Sequence, residues 1–288
     1  MSAIAIGFLW LVHFLPLRLV AALGNGLGNL GFLLMGARRK VVRVNLQKCF
    51  PALTEGERER LARAHFRVFF RSVLERGILW WAPRARLERL IRVEGLENLA
   101  RLRGKAAIIL SPHFVGFEAA IMRLTMEFPV SGMYATQSDA LADRVALAGR
   151  ARFGGELMPR QSGVWGAIQV LRAGGFYFYL PDMDYGRKHS IFVPFFGVQT
   201  ATVPALSQMA KRTGAAVVPC TTRILPGGAG YLVRLEPAWS GFPSGDAVAD
   251  TRRMLAFIEE RARDMPEQYY WVHKRFKTRP EGEADFYR

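Results

Sequence analysis

A chain of 288 residues, half of them hydrophobic, is long enough for one large domain with a sizeable buried core. Its 40 basic and 24 acidic side chains leave a formal charge of +16, which points to an anionic partner: a nucleic acid, an anionic membrane or an acidic protein. Two cysteines, Cys49 and Cys220, stand far apart with no CxxC spacing, which excludes a disulfide framework and a cysteine-rich zinc module.

Residues 1–37 carry one charged side chain, Arg18. A spanning helix needs about 20 apolar residues. The first apolar run, 3–17, is short and contains Pro16; the second, 19–37, is long enough but interrupted by Gly24, Asn25, Gly26, Gly28, Asn29 and Gly31. Together they predict a membrane anchor over 1–37, as one span or a shallow hairpin; the rival reading is a buried hairpin of a soluble protein. No basic stretch precedes the run and no small-x-small site follows it, so a cleaved signal peptide is not expected. Arg38, Arg39, Lys40 and Arg43 come next. Such a cationic flank marks the cytoplasmic side and attracts anionic headgroups.

Residues 38–288 read as one domain. Thr54 and Glu57 form a capping box, and Leu61, His65, Val68, Phe69 and Ser72 follow at helical spacing. Gly77 and Pro83 bracket Trp80 and Trp81, at a membrane interface or in the core. A short strand is expected at 90–93. Beyond it the pattern is α/β. Strands are predicted at 106–110, 176–180, 215–220 and 231–235, with an apolar stretch at 191–196 broken by Pro194. Helices are predicted at 116–127, 138–153, 163–173, 202–211 and 246–263.

The stretch LSPHFVGFEAA (110–120) places a histidine and an acid just past a buried strand. Pro112 keeps Ser111 extended, so His113 falls in the strand-to-helix loop and Glu118 in the first turns of the helix. A carboxylate bonded to one ring nitrogen fixes the tautomer and frees the other to take a proton from a hydroxyl. No GxSxG nucleophile accompanies the pair, which suits direct transfer to an activated hydroxyl. Taken alone, the spacing is common by chance, and a core histidine satisfied by a nearby acid is the preferred reading. Asp182-x-Asp184 after a strand has two readings: a turn in which the aspartates bond backbone amides, or a divalent-metal site holding a nucleotide sugar. The turn is preferred, since no neighbouring ligands stand in the sequence. His65 and His189 have no partner at a ligand spacing, and His13 has no assigned role.

The histidine-x4-acid pattern behind an apolar segment resembles the glycerolipid-type acyltransferases. More narrowly, RRKVVRVNLQKCFP (38–51), PRQSGVWGAIQVLRAGG (159–175), LPDMDYG (180–186), IFVPFFG (191–197) and PEQYYWVHKRFKTRP (266–280) are similar, in order, to blocks of the late acyltransferases of lipid A biosynthesis, the lauroyl and myristoyl type. The resemblance implies a glycerolipid-acyltransferase-like α/β fold, a mixed sheet flanked by helices behind the anchoring segment. It implies an enzyme of the bacterial inner membrane, its catalytic domain on the cytoplasmic face, that moves a fatty acyl chain from acyl carrier protein to a hydroxyacyl chain of a Kdo-bearing lipid A precursor. Neither a metal, nor a cofactor, nor a covalent acyl-enzyme is expected.

By the same resemblance His113 is the general base and Glu118 its acidic partner. Arg160 binds phosphate or the developing negative charge; without the resemblance it reads as a surface charge. Asp182 and Asp184, with Met183 at the variable middle position, are expected at the substrate. Phe192, Phe195 and Phe196 are candidates for an acyl-chain wall, or for ordinary core packing. Lys274 and Arg275, in a cluster with His273 and Lys277, are expected to meet lipid phosphates or the acidic carrier, or to form a solvated basic face. The expected partners are acyl carrier protein, the lipid A precursor and anionic membrane lipids. Nucleic acid is not expected, for no base-reading motif is present. The rivals are an acyltransferase for a lysophospholipid or aminolipid, a non-catalytic lipid-binding protein of the same fold, and the metal-dependent glycosyltransferase.

Overall fold

The computed structural model describes residues 3–288. Four helices come first: α1 (Ala3–Val12), α2 (Leu17–Leu34), α3 (Gly36–Cys49) and α4 (Glu55–Trp81). The α4 helix opens on the expected capping box, with the Thr54 side chain accepting from the Glu57 amide and Glu57 reaching back to the Thr54 amide. After α5 (Arg84–Leu90) the chain alternates: β1 (Ile91–Glu94), α6 (Leu96–Ala100), β2 (Ala107–Leu110), α7 (Phe117–Leu124), β3 (Val130–Tyr134), α8 (Ala140–Ala151), β4 (Glu156–Pro159), α9 (Gly163–Arg172) and β5 (Phe176–Tyr179). The remainder comprises β6 (Ile191–Phe195), β7 (Val198–Thr202), α10 (Ala205–Thr213), β8 (Ala216–Ile224), β9 (Tyr231–Leu235) and α11 (Ala247–Asp264).

Seven strands form one sheet in the order β1-β9-β8-β2-β5-β3-β4, and every neighbouring pair is parallel except β8 with β9. The fold is therefore the expected α/β type, a mixed sheet flanked by helices. All four residues of β2 are buried, as a central parallel strand covered on both faces requires. Alternation along the strands feeds two cores. Ile108, Leu110, Tyr177 and Val217 enter one; Ile109, Phe176, Phe178 and Val218 enter the other. The stretch at 191–196 forms a separate antiparallel hairpin, β6 with β7, where Pro194 sits opposite Gln199.

Two strands of the sheet, β3 (VSGMY) and β4 (ELMP), lie outside the sequence expectations. Gly132, Ser131, Glu156 and Pro159 weaken their local β signal; β3 gains its place by pairing with β5, and β4 by pairing with β3.

The first two helices pack on α4. The α2 helix runs antiparallel to it: a Cβ at Gly24 would stand 2.7 Å from Arg71 Cα, and one at Gly28 2.4 Å from Arg67 Cα. Only glycine permits backbones that close. The opposite side of α2 exposes Leu19, Leu23, Leu27, Leu30, Leu33 and Leu34. By length and composition α2 is the one described helix that is long and apolar enough to cross a membrane.

Candidate active site

Register builds the centre of the site. In the parallel pair β2–β5, Leu110 stands opposite Tyr179, and the pairing continues as the Ser111 amide donates to the Tyr179 carbonyl at 2.9 Å. His113 lies three residues past Leu110, and Asp182 three past Tyr179. Both side chains therefore emerge together beyond the carboxyl end of the sheet, where ligands of open α/β sheets bind. The His113 Nδ1 meets Asp182 Oδ1 at 2.6 Å, and the His113 amide donates to the same carboxylate at 3.1 Å.

The C-terminal segment holds this loop from the other side. The Tyr270 amide donates to the His113 carbonyl at 3.0 Å, and the Val115 amide to the Gln268 carbonyl at 2.8 Å. Phe114 and Tyr269 form a bridge between them. Buried Tyr269 hydrogen-bonds Asp182; burial and the neighbouring Asp182 charge push its phenol pKa well up, so it stays a donor. Asp182 is itself buried. Burial works to raise its pKa, but the His113 charge and hydrogen bond, the Tyr269 hydroxyl and the Arg275 charge outweigh that and hold it below the usual range. The His113 ring, its side chain 17% exposed, lies beside Phe117 and Tyr270. With Nδ1 on Asp182, Nε2 is the nitrogen left for a substrate.

Glu118 corrects the pairing expected from the sequence. It is the second residue of α7, as anticipated, but its carboxylate faces α4 and α8 rather than His113. Arg150 grips it with two bonds of 2.9 Å, Trp80 donates its indole N–H to it, and Arg76 stands 3.7 Å away. Burial opposes the charge, but Arg150 and Arg76, with the Arg150 and Trp80 hydrogen bonds, hold the Glu118 pKa down at about 2. The physical reason is the turn 112–116: it sends the His113 ring toward β5, while the helix carries Glu118 to the opposite flank. Trp80 is accordingly a core residue with a polar duty.

Asp184 makes the expected turn, accepting from the Gly186 amide at 2.9 Å, and it also takes the Thr278 amide and hydroxyl at 2.7 and 2.8 Å. Asp182 and Asp184 are thus buried and engaged by different protein donors, rather than turned to a substrate as expected. Burial, with the charges of Arg275 and His113, lowers His273 to about 4, and its Nε2 accepts from the Asp184 amide at 3.0 Å. Arg275 is also not the surface cation expected. It is 2% exposed, donates to the Ala201 carbonyl and the Thr202 hydroxyl, and lies over the Phe195 ring. Lys274 does face solvent. Phe195 is closed inside the core against Tyr269 and Phe276, which is the packing alternative; Phe192 and Phe196 are half-buried, under Arg187 and Arg263. Arg160 is exposed and stacks over Tyr185, 5.3 Å from the ring centroid, on the loop that carries Asp182. His65 is a buried core histidine bonded to the Glu267 carbonyl at 2.9 Å.

Residues 1–278 match the family model described as bacterial lipid A biosynthesis acyltransferase. The chain belongs to this family. It is 35% identical to the lipid A biosynthesis lauroyltransferase of Escherichia coli (strain K12), with 97% of this chain and 92% of that protein covered. It is 32% identical to the lipid A biosynthesis palmitoleoyltransferase of the same organism, over 98% and 92%. Among solved structures, the 1-acyl-sn-glycerophosphate acyltransferase PlsC from Thermotoga maritima covers 86% of this chain and 97% of its own, at 14% identity and a TM-score of 0.38, too weak a likeness to bear on fold or function.

This lipid A family acyltransferase uses residues at its centre that sequence reasoning passes over. Tyr269 supports Asp182 from the PEQYYWVHKRFKTRP stretch. Arg150 and Trp80 hold Glu118 across 32 and 38 residues of chain. Asn45, in the NLQKCFP stretch, donates to the Trp271 and His273 carbonyls at 2.7 Å each, so a motif that reads as membrane-proximal ties down the C-terminal segment. The signal that finds Asp182 is the equal offset of two residues past paired parallel strands, which becomes usable once the pairing is known.

Proposed function

We propose that this acyltransferase moves a fatty acyl chain from acyl carrier protein to a hydroxyacyl chain of a Kdo-bearing lipid A precursor, at the cytoplasmic face of the bacterial inner membrane. His113 Nε2 takes the proton of the acceptor hydroxyl as its oxygen attacks the thioester carbonyl. Asp182, held by Tyr269, keeps the Nδ1 proton in place and stabilises the imidazolium that forms. The tetrahedral intermediate collapses, the C–S bond breaks, and His113 returns the proton to the departing thiolate. Serine or cysteine has no part in this path, which needs no covalent acyl-enzyme. Arg160, stacked on Tyr185 at the rim, is assigned to a phosphate of the acceptor or to the charge that develops on the carbonyl oxygen.

The observation that carries the reading is the His113–Asp182 pair with Nε2 unclaimed, in a member of this family. The charge of +16 supports it, since both the carrier protein and the phosphate-bearing precursor are acidic and would be steered to the surface. The apolar N-terminal helices followed by Arg38, Arg39 and Lys40 support the membrane and its cytoplasmic side.

The test is product analysis by mass spectrometry. Purified protein is offered acyl carrier protein thioesters or the matching coenzyme A thioesters, with a tetra-acylated Kdo-bearing precursor or a lysophospholipid. Acyl transfer from the carrier protein to the precursor, with less or none from coenzyme A, is expected. Transfer to the lysophospholipid alone would overturn the acceptor.

A further inference from the structure

Three of the four glycines that interrupt α2 share the side of the helix that faces α4. Gly24 and Gly28 fall on one stripe of the helix, with Gly31 against the Phe70 ring. They seat α2 on α4 along its length, and Gly77 of α4 does the same for α1, where an added Cβ would stand 2.2 Å from the Leu9 carbonyl oxygen. The α4 helix is in turn built into the catalytic domain. Its Glu75 accepts from the buried Tyr231 hydroxyl of β9 and pairs with Arg71, and its His65 meets the Glu267 carbonyl.

A helix fixed this way cannot stand across a bilayer alone. Were α2 to follow the membrane normal, the stretch of α4 beside it would enter the hydrocarbon with it, carrying exposed Arg63 and half-buried Arg67. Cations at that depth are costly, and the sheet behind α4 would have to follow. Yet the outer stripe of α2 leaves Leu23, Leu27 and Leu30 exposed, and Phe8 and Phe14, before Pro16, are exposed as well. Cations border the stripe at both ends: exposed Arg18 at the start of α2, exposed Arg38 and Lys40 just beyond its end. Arg39 donates to the Phe32 and Leu33 carbonyls, so the last turn of α2 is already finished with a cation. An apolar stripe with cations at its two ends fits a helix lying in the interface of an anionic membrane, where both ends meet headgroups.

We infer that α1 and α2 do not cross the membrane: they lie in the plane of its cytoplasmic leaflet as one face of the catalytic domain, with anionic lipid as the occupant of the exposed stripe. Arg38 also donates to the Val272 carbonyl at 3.3 Å, so the C-terminal segment that holds His113 is attached to the edge of this face. The inference rests on the membrane-bound reading above, but its tests read position and not acyl transfer, so the two fail separately.

Single-cysteine variants Arg18→Cys and Gly36→Cys of the full chain flank α2; Gly36 has nothing within 4 Å of an added Cβ, and the native Cys49 and Cys220 are buried. A membrane-impermeant maleimide is applied to intact spheroplasts and to inverted membrane vesicles. Both variants are expected to react in inverted vesicles and neither in spheroplasts. Reaction of Arg18→Cys from outside would make α2 a span and overturn the inference, as would silence of that site from both sides. In a second measurement the purified protein is co-sedimented with vesicles of pure phosphatidylcholine or with 30% phosphatidylglycerol. At least tenfold tighter association with the anionic vesicles, lost on Leu23→Lys/Leu27→Lys, is expected. Equal association with both vesicles, or an unaffected double variant, would contradict it.

Discussion

His113 and Asp182 meet at 2.6 Å because each stands three residues beyond a paired position on adjacent parallel strands, Leu110 on β2 and Tyr179 on β5. The pair is thus fixed by sheet register, the least flexible element available to an active site. Replacing Asp182 by Asn keeps the shape but leaves the ring without a carboxylate. The expected result is a fall in kcat of roughly 10²–10⁴-fold with KM little changed. Tyr269→Phe removes one support of that carboxylate and is expected to cost about tenfold. Steady-state kinetics on both variants check this; a kcat near wild type for Asp182→Asn would remove the carboxylate from the chemistry.

Glu118 does different work. Its neutralisation takes the adjacent carboxylate charge from buried Arg150, so Glu118→Gln is expected to lower stability by about 3–5 kcal/mol. Glu118→Gln combined with Arg150→Met removes both charges and should recover part of that loss, a coupling that a denaturant-midpoint series would measure. If Glu118→Gln instead abolished turnover with an unchanged midpoint, Glu118 would belong to the reaction.

The glycines of α2 give a pair of opposite predictions. Gly28→Ala places a methyl 2.4 Å from the Arg67 backbone and is expected to destabilise by about 1–3 kcal/mol. Gly26, two residues earlier, has nothing within 4 Å of an added Cβ, so Gly26→Ala should stabilise by about 0.5–1 kcal/mol. Thermal unfolding of the two variants in one detergent distinguishes them.

Much of the fold is legible in the sequence because its signals are local. The capping box at Thr54, the run AAIIL and the run FYFYL each declare their element without help from elsewhere. What fails to show depends on neighbours. β3 and β4 contain Gly132 and Pro159 and gain their strand character from pairing. The acid near His113 is read as Glu118 because it stands five positions along the chain, whereas Asp182 stands 69 positions away. Arg275 reads as one more cation of a basic cluster, since nothing in its flanks reveals that its guanidinium turns inward to Thr202.

Acid should weaken the fold in two stages. His65 and His273 are lowered from 6.5 to about 4, mainly by burial, so an unfolded chain takes up those protons before the folded one does. Stability is full above pH 6.5 and declines as pH falls toward 4. Glu118, held down at about 2 from 4.5, adds a further loss below pH 4.5, on the order of 3 kcal/mol once it is protonated. Urea midpoints measured from pH 7.5 to 5 should fall, and His65→Gln should flatten part of the slope.

The most direct measurement is acyl transfer by the full-length protein against its His113→Ala variant, with acyl carrier protein thioester and tetra-acylated Kdo-bearing precursor, folding checked alongside. A folded variant whose turnover has dropped by roughly 10²–10⁴-fold is the predicted result. A folded variant that transfers at the wild-type rate would contradict it, and His113 would then not be the base.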